Sequence, residues 1–115
     1  MVDIMKKQPR LELLQGTLDL LILRTLATGA KHGWAVSERI QQISNDVLRV
    51  NQGSLYPALH RLESQGLINA EWKTSEQGKR ARFYRLTAAG RKQLERATNN
   101  WARVANAIGR VLDFG

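Results

Sequence analysis

The chain contains no cysteine, which excludes disulfides and thiolate metal sites. Histidine is scarce as well: His32 and His60 stand 28 positions apart and form no ligand pair by themselves. No apolar run approaches the ~20 residues of a membrane span. The opening Met1-Val2-Asp3-Ile4-Met5-Lys6-Lys7 lacks the apolar centre of a signal peptide. A cytoplasmic protein with no membrane partner is therefore expected. Also missing are a nucleophile–base–orienter set, a phosphate-binding glycine loop and metal-ligand spacing. That argues against an enzyme, and no cofactor or metal is expected. Glu63 and Glu71 read as isolated acids with structural or surface roles. Negative charge is in the minority overall, with 10 acidic side chains against 18 basic ones and a net charge of +8.

What is present fits one domain. With 115 residues, 43% of them hydrophobic, the chain can form a small core that gains from oligomerisation. The excess charge has a location. Lys73, Lys79, Arg80, Arg82, Arg85, Arg91, Lys92 and Arg96 lie close together, against only Glu76 and Glu95. Concentrated positive charge favours phosphate backbones through counterion release. A merely soluble basic surface is the plainer alternative. Anionic membranes fit less well, because no helix pairs this charge with an exposed apolar face.

The most informative stretch is Gln52 to Gly66, which reads as one short helix with both ends written in. Ser54 is expected to cap its start, and Pro57 to fall within the first turn, where a missing N–H costs little. Gly66 supplies a left-handed residue to close it. Leu55, Leu59 and Leu62 define a buried face. Gln52, Ser54, Tyr56, His60 and Arg61 are left for other faces, which suits the major groove of DNA. For Arg61 an internal salt bridge is the alternative to a phosphate contact.

In chain order, residues 1–10 are a polar leader. Leu14, Leu18, Leu21, Ile22 and Leu26 then mark a nearly enclosed helix starting at Leu11 or at Thr17. In the second case Thr17 is its cap and Asp19 favours the first-turn dipole. His32-Gly33-Trp34 opens a second helix with Val36, Ile40 and Ile43 on one face. His32 is assigned to the start of that helix, with a functional role as the alternative, and Trp34 to packing, with stacking on a base as the alternative. Val47-Leu48-Arg49-Val50 is short enough for one small strand. After Gly66 the period changes to two: Ile68, Ala70 and Trp72 alternate with Asn69, Glu71 and Lys73, as in a half-buried strand. A polar loop leads to a return strand with Phe83, Tyr84 and Leu86. Helices followed by a basic hairpin make an α+β, mainly α, winged helix-turn-helix domain over 11–87. Its wing offers Lys73, Lys79, Arg80 and Arg82 to phosphates, while a solvated edge protected by charge is the structural alternative. Thr87 caps a last helix within 88–115. There Leu94, Ala97, Trp101, Val104, Ile108 and Val111 recur at heptad spacing. One small domain can scarcely cover that stripe, so a homodimer is expected, with folding back on its own domain as the alternative.

Gly53-Ser54-Leu55-Tyr56-Pro57-Ala58-Leu59, continuing through Arg61-Leu62-Glu63 to Gly66, resembles the recognition-helix signature of PadR-type transcriptional regulators. His32-Gly33-Trp34, the run from Arg80 to Thr87, and Ala89-Gly90 match in the same order. The resemblance spans roughly Leu14 to the C-terminus and is closest to members with a single C-terminal helix. It implies a repressor that binds a palindromic operator on double-stranded DNA and is released by a small molecule or another signal. In some similar proteins a tryptophan of the terminal helix lines a cavity between subunits for flat hydrophobic effectors. Trp101, with Ala97 and Ala105, carries that expectation here; filling the dimer core is the simpler role. An RNA-binding basic protein and a winged-helix module for protein assembly are the competing functions.

Overall fold

The computed structural model describes residues 15–74 and 76–114. The leader expected over 1–10, and a helix start at Leu11, lie outside them. In order come α1 (Gln15–Leu26), β1 (Lys31–His32), α2 (Gly33–Ile43), α3 (Gln52–Ser64), β2 (Ile68–Thr74), β3 (Arg80–Leu86) and α4 (Ala88–Asp113). The three strands form one antiparallel sheet in the order β1-β3-β2. This is the mainly helical winged helix-turn-helix architecture, with a long terminal helix.

α1 is the central helix of the core. Leu18, Ile22, Leu23 and Leu26 are all buried, against Val36 and Ile40 of α2 and Leu55, Ala58, Leu59 and Leu62 of α3. Thr17 lies inside this helix and does not cap it. The last carbonyls of α1 are satisfied from beyond its end. The Lys31 ammonium donates to the carbonyls of Thr25 and Gly29, each at 3.2 Å, and to Thr28 Oγ1 at 3.0 Å. Burial, and then the Arg39 charge, holds the Lys31 pKa below the usual lysine range.

Two expectations about the middle of the chain are corrected. Val47 to Val50 form no strand; Leu48 makes a single bridge. The loop is instead gathered by Ser44, whose Oγ accepts from the Leu48 N–H at 3.0 Å. The third strand is Lys31–His32, which pairs with Tyr84 and Phe83. Ile43 likewise does not join the buried face of α2. It is 63% exposed, because α2 ends beside it with Asn45 and Asp46 both at positive φ.

α3 starts earlier than its serine suggests. Asn51 is the N-cap, its Oδ1 accepting from the Gly53 N–H at 2.7 Å, so Ser54 is a residue of the first turn. Pro57 consequently lies in the helix interior, where its ring nitrogen cannot donate to the Gly53 carbonyl four residues back. The other end is as expected. Gly66, at φ 75°, donates to the Glu63 carbonyl, and the Leu67 N–H donates to that of Leu62, both at 3.0 Å.

The hairpin grows from this helix end into the core and out again. Ile68 pairs with Leu86, Ala70 with Tyr84, Trp72 with Arg82 and Thr74 with Arg80. These pairs share one face of the ribbon, since side chains alternate along a strand. At its base Ile68, Tyr84 and Leu86 are buried, whereas Trp72 is 57% exposed. The half-buried strand expected through Trp72 is therefore buried only at its start. Thr87 then caps α4, its Oγ1 accepting from the Gly90 N–H at 3.0 Å while donating to the Gly66 carbonyl at 2.8 Å. Gly90 is required by close approach: a Cβ there would collide with the Leu67 carbonyl oxygen and come within 2.6 Å of Leu86 Cδ1.

Candidate nucleic-acid interface

α3 turns Leu55, Ala58, Leu59 and Leu62 inward, which leaves Gln52, Ser54, Tyr56, Pro57 and His60 on its exposed side. Gln52 reaches back to α2, its Nε2 donating to Ser37 Oγ at 3.4 Å. Tyr56 lies over the start of α2, and a Cβ on Gly33 would stand 2.9 Å from Tyr56 Cε1. That close passage gives the glycine of His32-Gly33-Trp34 its role. His32 is the N-cap of α2, its Nδ1 accepting from the Ala35 N–H at 3.3 Å, so its expected structural place holds.

Trp34 departs from the expectation. It is 55% exposed instead of packed inside. Together with His32, Gly33, Tyr56, His60, Trp72, Ala81, Arg82 and Tyr84 it lines an open cleft of about 400 Å³ between α3 and the hairpin. The sequence patterns behind the buried face point inward, and nothing in them marks Trp34 and Trp72 as neighbours across this cleft. Burial raises the pKa of the Tyr84 phenol at its floor, with Arg82 opposing.

Several of the basic residues are engaged within the fold. Arg61 Nη2 lies 2.6 Å from Asp19 Oδ1. Arg82 Nη2 lies 2.9 Å from Glu63 Oε2, so Glu63 is not an isolated acid. Neither is Glu71, whose Oε1 is 3.3 Å from Arg85 Nη2 and 3.4 Å from Lys73 Nζ. Lys73 also stands 5.8 Å from the centroid of Phe83. Arg80 is exposed, with its guanidinium carbon 5.3 Å from the centroid of Trp72. Lys79 is exposed beside it, after Gly78 at φ 80°. The exposed residues of α3, the cleft and Arg80 thus lie on one side of the hairpin, Lys73 lies with Phe83 and Glu71 on the other, and the guanidinium groups of Arg61 and Arg82 are held in ion pairs.

The heptad positions of α4 separate in the same way. Leu94 packs against the core and Ala97 is half-buried. Beyond them Trp101, Val104, Ile108 and Val111 are 53%, 50%, 52% and 73% exposed. Ala97, Trp101 and Ala105 form one column along the helix, four residues apart. Among the described residues, no helix is long and apolar enough to cross a membrane, and no group of His, Cys, Asp and Glu could hold a metal ion.

Comparison with known proteins agrees with this geometry. The chain is 39% identical to the transcriptional regulator Rv3488 of Mycobacterium tuberculosis over 84 residues, covering 72% of this chain and 74% of that protein. A transcriptional regulator from Clostridium thermocellum superposes with a TM-score of 0.77 at 28% identity, covering 84% of this chain and 93% of its own. A PadR family transcriptional regulator from Eggerthella lenta gives 0.75 at 29% identity, covering 88% and 86% respectively. The family model described as the transcriptional regulator PadR-like family matches residues 22–96. With that match over most of its length, the chain belongs to the PadR-like family of transcriptional regulators.

Proposed function

We propose that this regulator is a homodimeric repressor that binds double-stranded DNA and is released by a small molecule or another signal. The observation that carries the reading is the shared exposure of α3, the aromatic cleft and Arg80 on the cleft-facing side of the hairpin. α3 is the helix for the major groove, with Gln52, Ser54, Tyr56 and His60 near base edges. Lys73, Lys79 and Arg80 are the wing contacts to phosphate. Arg61 and Arg82 act through their ion pairs and not as direct contacts.

The stripe of Trp101, Val104, Ile108 and Val111 supports association with a second copy, since a long apolar face without a partner is unfavourable in water. A twofold dimer presents two α3 helices to a palindromic site with half-sites about one turn, ~34 Å, apart. Ala97 and Ala105, one turn to either side of Trp101, are small enough to leave room for a flat effector between subunits, unless Trp101 itself fills the dimer core. The absence of any membrane-length helix among the described residues is compatible with a cytoplasmic regulator. The deciding test is fluorescence anisotropy with duplex DNA from the region upstream of its own gene, against a scrambled duplex, at ~150 mM salt. Preference for the upstream duplex with two chains bound supports the reading. Weak and equal binding to both would leave a basic winged-helix module whose target is RNA or an acidic protein.

A further inference from the structure

On the face of the hairpin that turns toward α3, four side chains form a continuous stack. Glu63 of α3 holds the Arg82 guanidinium at 2.9 Å. Arg82 in turn lies 5.8 Å from the centroid of Trp72 and 6.0 Å from that of Tyr84. On the tip side, Arg80 lies 5.3 Å from the same Trp72 ring. The register explains the order: Trp72 faces Arg82 directly, and Arg80 is the next residue toward the tip on that face. Two guanidinium groups sharing one indole would repel each other. The Glu63 carboxylate offsets one charge, and the negative face of the ring attracts both. An arginine on an exposed strand otherwise samples many rotamers. Trp72 itself is 57% exposed, so packing of the core does not account for it.

We infer that Trp72 is a positioning residue: through Glu63, Arg82 and the indole, it fixes Arg80 relative to the DNA-reading helix. α3 and the wing then meet DNA as one pre-set unit. Arg82 is the tie between them and Arg80 is the group presented to phosphate. The inference rests on the DNA-binding reading for its purpose and on the free protein for its geometry, and the two parts are tested separately.

The free-protein arm is NMR of the full chain. The Arg80 Hδ protons should be shifted upfield by the indole ring, return to ordinary values in Trp72→Leu, and move part of the way back in Glu63→Gln. The binding arm is anisotropy with the upstream duplex between ~50 and ~200 mM salt. Trp72→Leu should weaken binding roughly twofold to fivefold and reduce the salt slope by about one phosphate contact. Trp72→Phe, which keeps a ring, should restore most of the loss. Trp72→Leu combined with Arg80→Ala should bind no more weakly than Arg80→Ala alone, since both remove one interaction. Unshifted Arg80 protons in the free wild type would overturn the inference whatever the DNA result. Full additivity of the two substitutions would also overturn it, because Trp72 would then contact DNA on its own account. Shifted Arg80 protons without any duplex binding by the wild type would leave the stack standing and remove the DNA-binding reading instead.

Discussion

Arg61 of α3 and Asp19 of α1 meet with Nη2 and Oδ1 2.6 Å apart, both side chains partly buried. The pair joins residues 42 positions apart and braces α3 on the side opposite its exposed face. Asp19 is thus more than a favourable charge near the start of α1. Arg61→Gln leaves that carboxylate half-buried without its partner. It should cost about 1–2 kcal/mol of stability in urea denaturation. The salt slope of duplex binding should stay as in the wild type, and a fall in that slope would mean that Arg61 contacts phosphate.

Gly90→Ala tests the tightest glycine position among the described residues. The added methyl meets the Leu67 carbonyl oxygen, which backbone hydrogen bonding holds in place through the Thr87 N–H at 3.1 Å. Neither side can yield easily, so a loss of about 2–3 kcal/mol is expected. A thermal unfolding midpoint equal to that of the wild type would show that α4 can shift away from the hairpin base.

Lys79→Ala with Arg80→Ala should weaken binding to every duplex alike and flatten its salt dependence, with the slope falling by about 1–2. Unchanged anisotropy curves would remove the wing from the interface.

Trp101→Asp places a charge in the middle of the exposed stripe of α4. Sedimentation velocity should show a dimer for the wild type and a monomer for the variant. Since Trp101 lies beyond the part of α4 that packs on the core, the monomer should keep its helical circular dichroism. An intact dimer would place the contact between copies elsewhere.

Much of the fold was legible where one residue type has one physical use. Gly66 closes α3 because the Schellman geometry requires a positive φ, and Thr87 caps α4 because its hydroxyl can reach the Gly90 N–H. The start of α3 was misplaced because Asn51 and Ser54 are both good caps, and local sequence does not choose between them. In the sequence the small strand fits the short run Val47–Val50. It formed at Lys31–His32 because β3 offers its free edge there, a tertiary effect. The ion pairs of Arg61 and Arg82 connect distant positions that no periodicity links. Ile43 follows the helical spacing of Val36 and Ile40, and Trp34 reads as packing before base stacking, yet an apolar residue near a helix end readily lies past the edge of a small core.

Thr87 touches three neighbouring backbones: its N–H donates to Leu67, its hydroxyl donates to Gly66 and accepts from Gly90. The end of α3 and the start of α4 are thus tied to each other through Thr87. α4 is anchored at its first turn, and sixteen of its residues, about 24 Å, extend past Ala97. A surface that seats on the stripe of Trp101 and Ile108 would act on a lever whose base is hydrogen-bonded to Gly66 and Leu67, at the end of the helix that carries Tyr56 and His60.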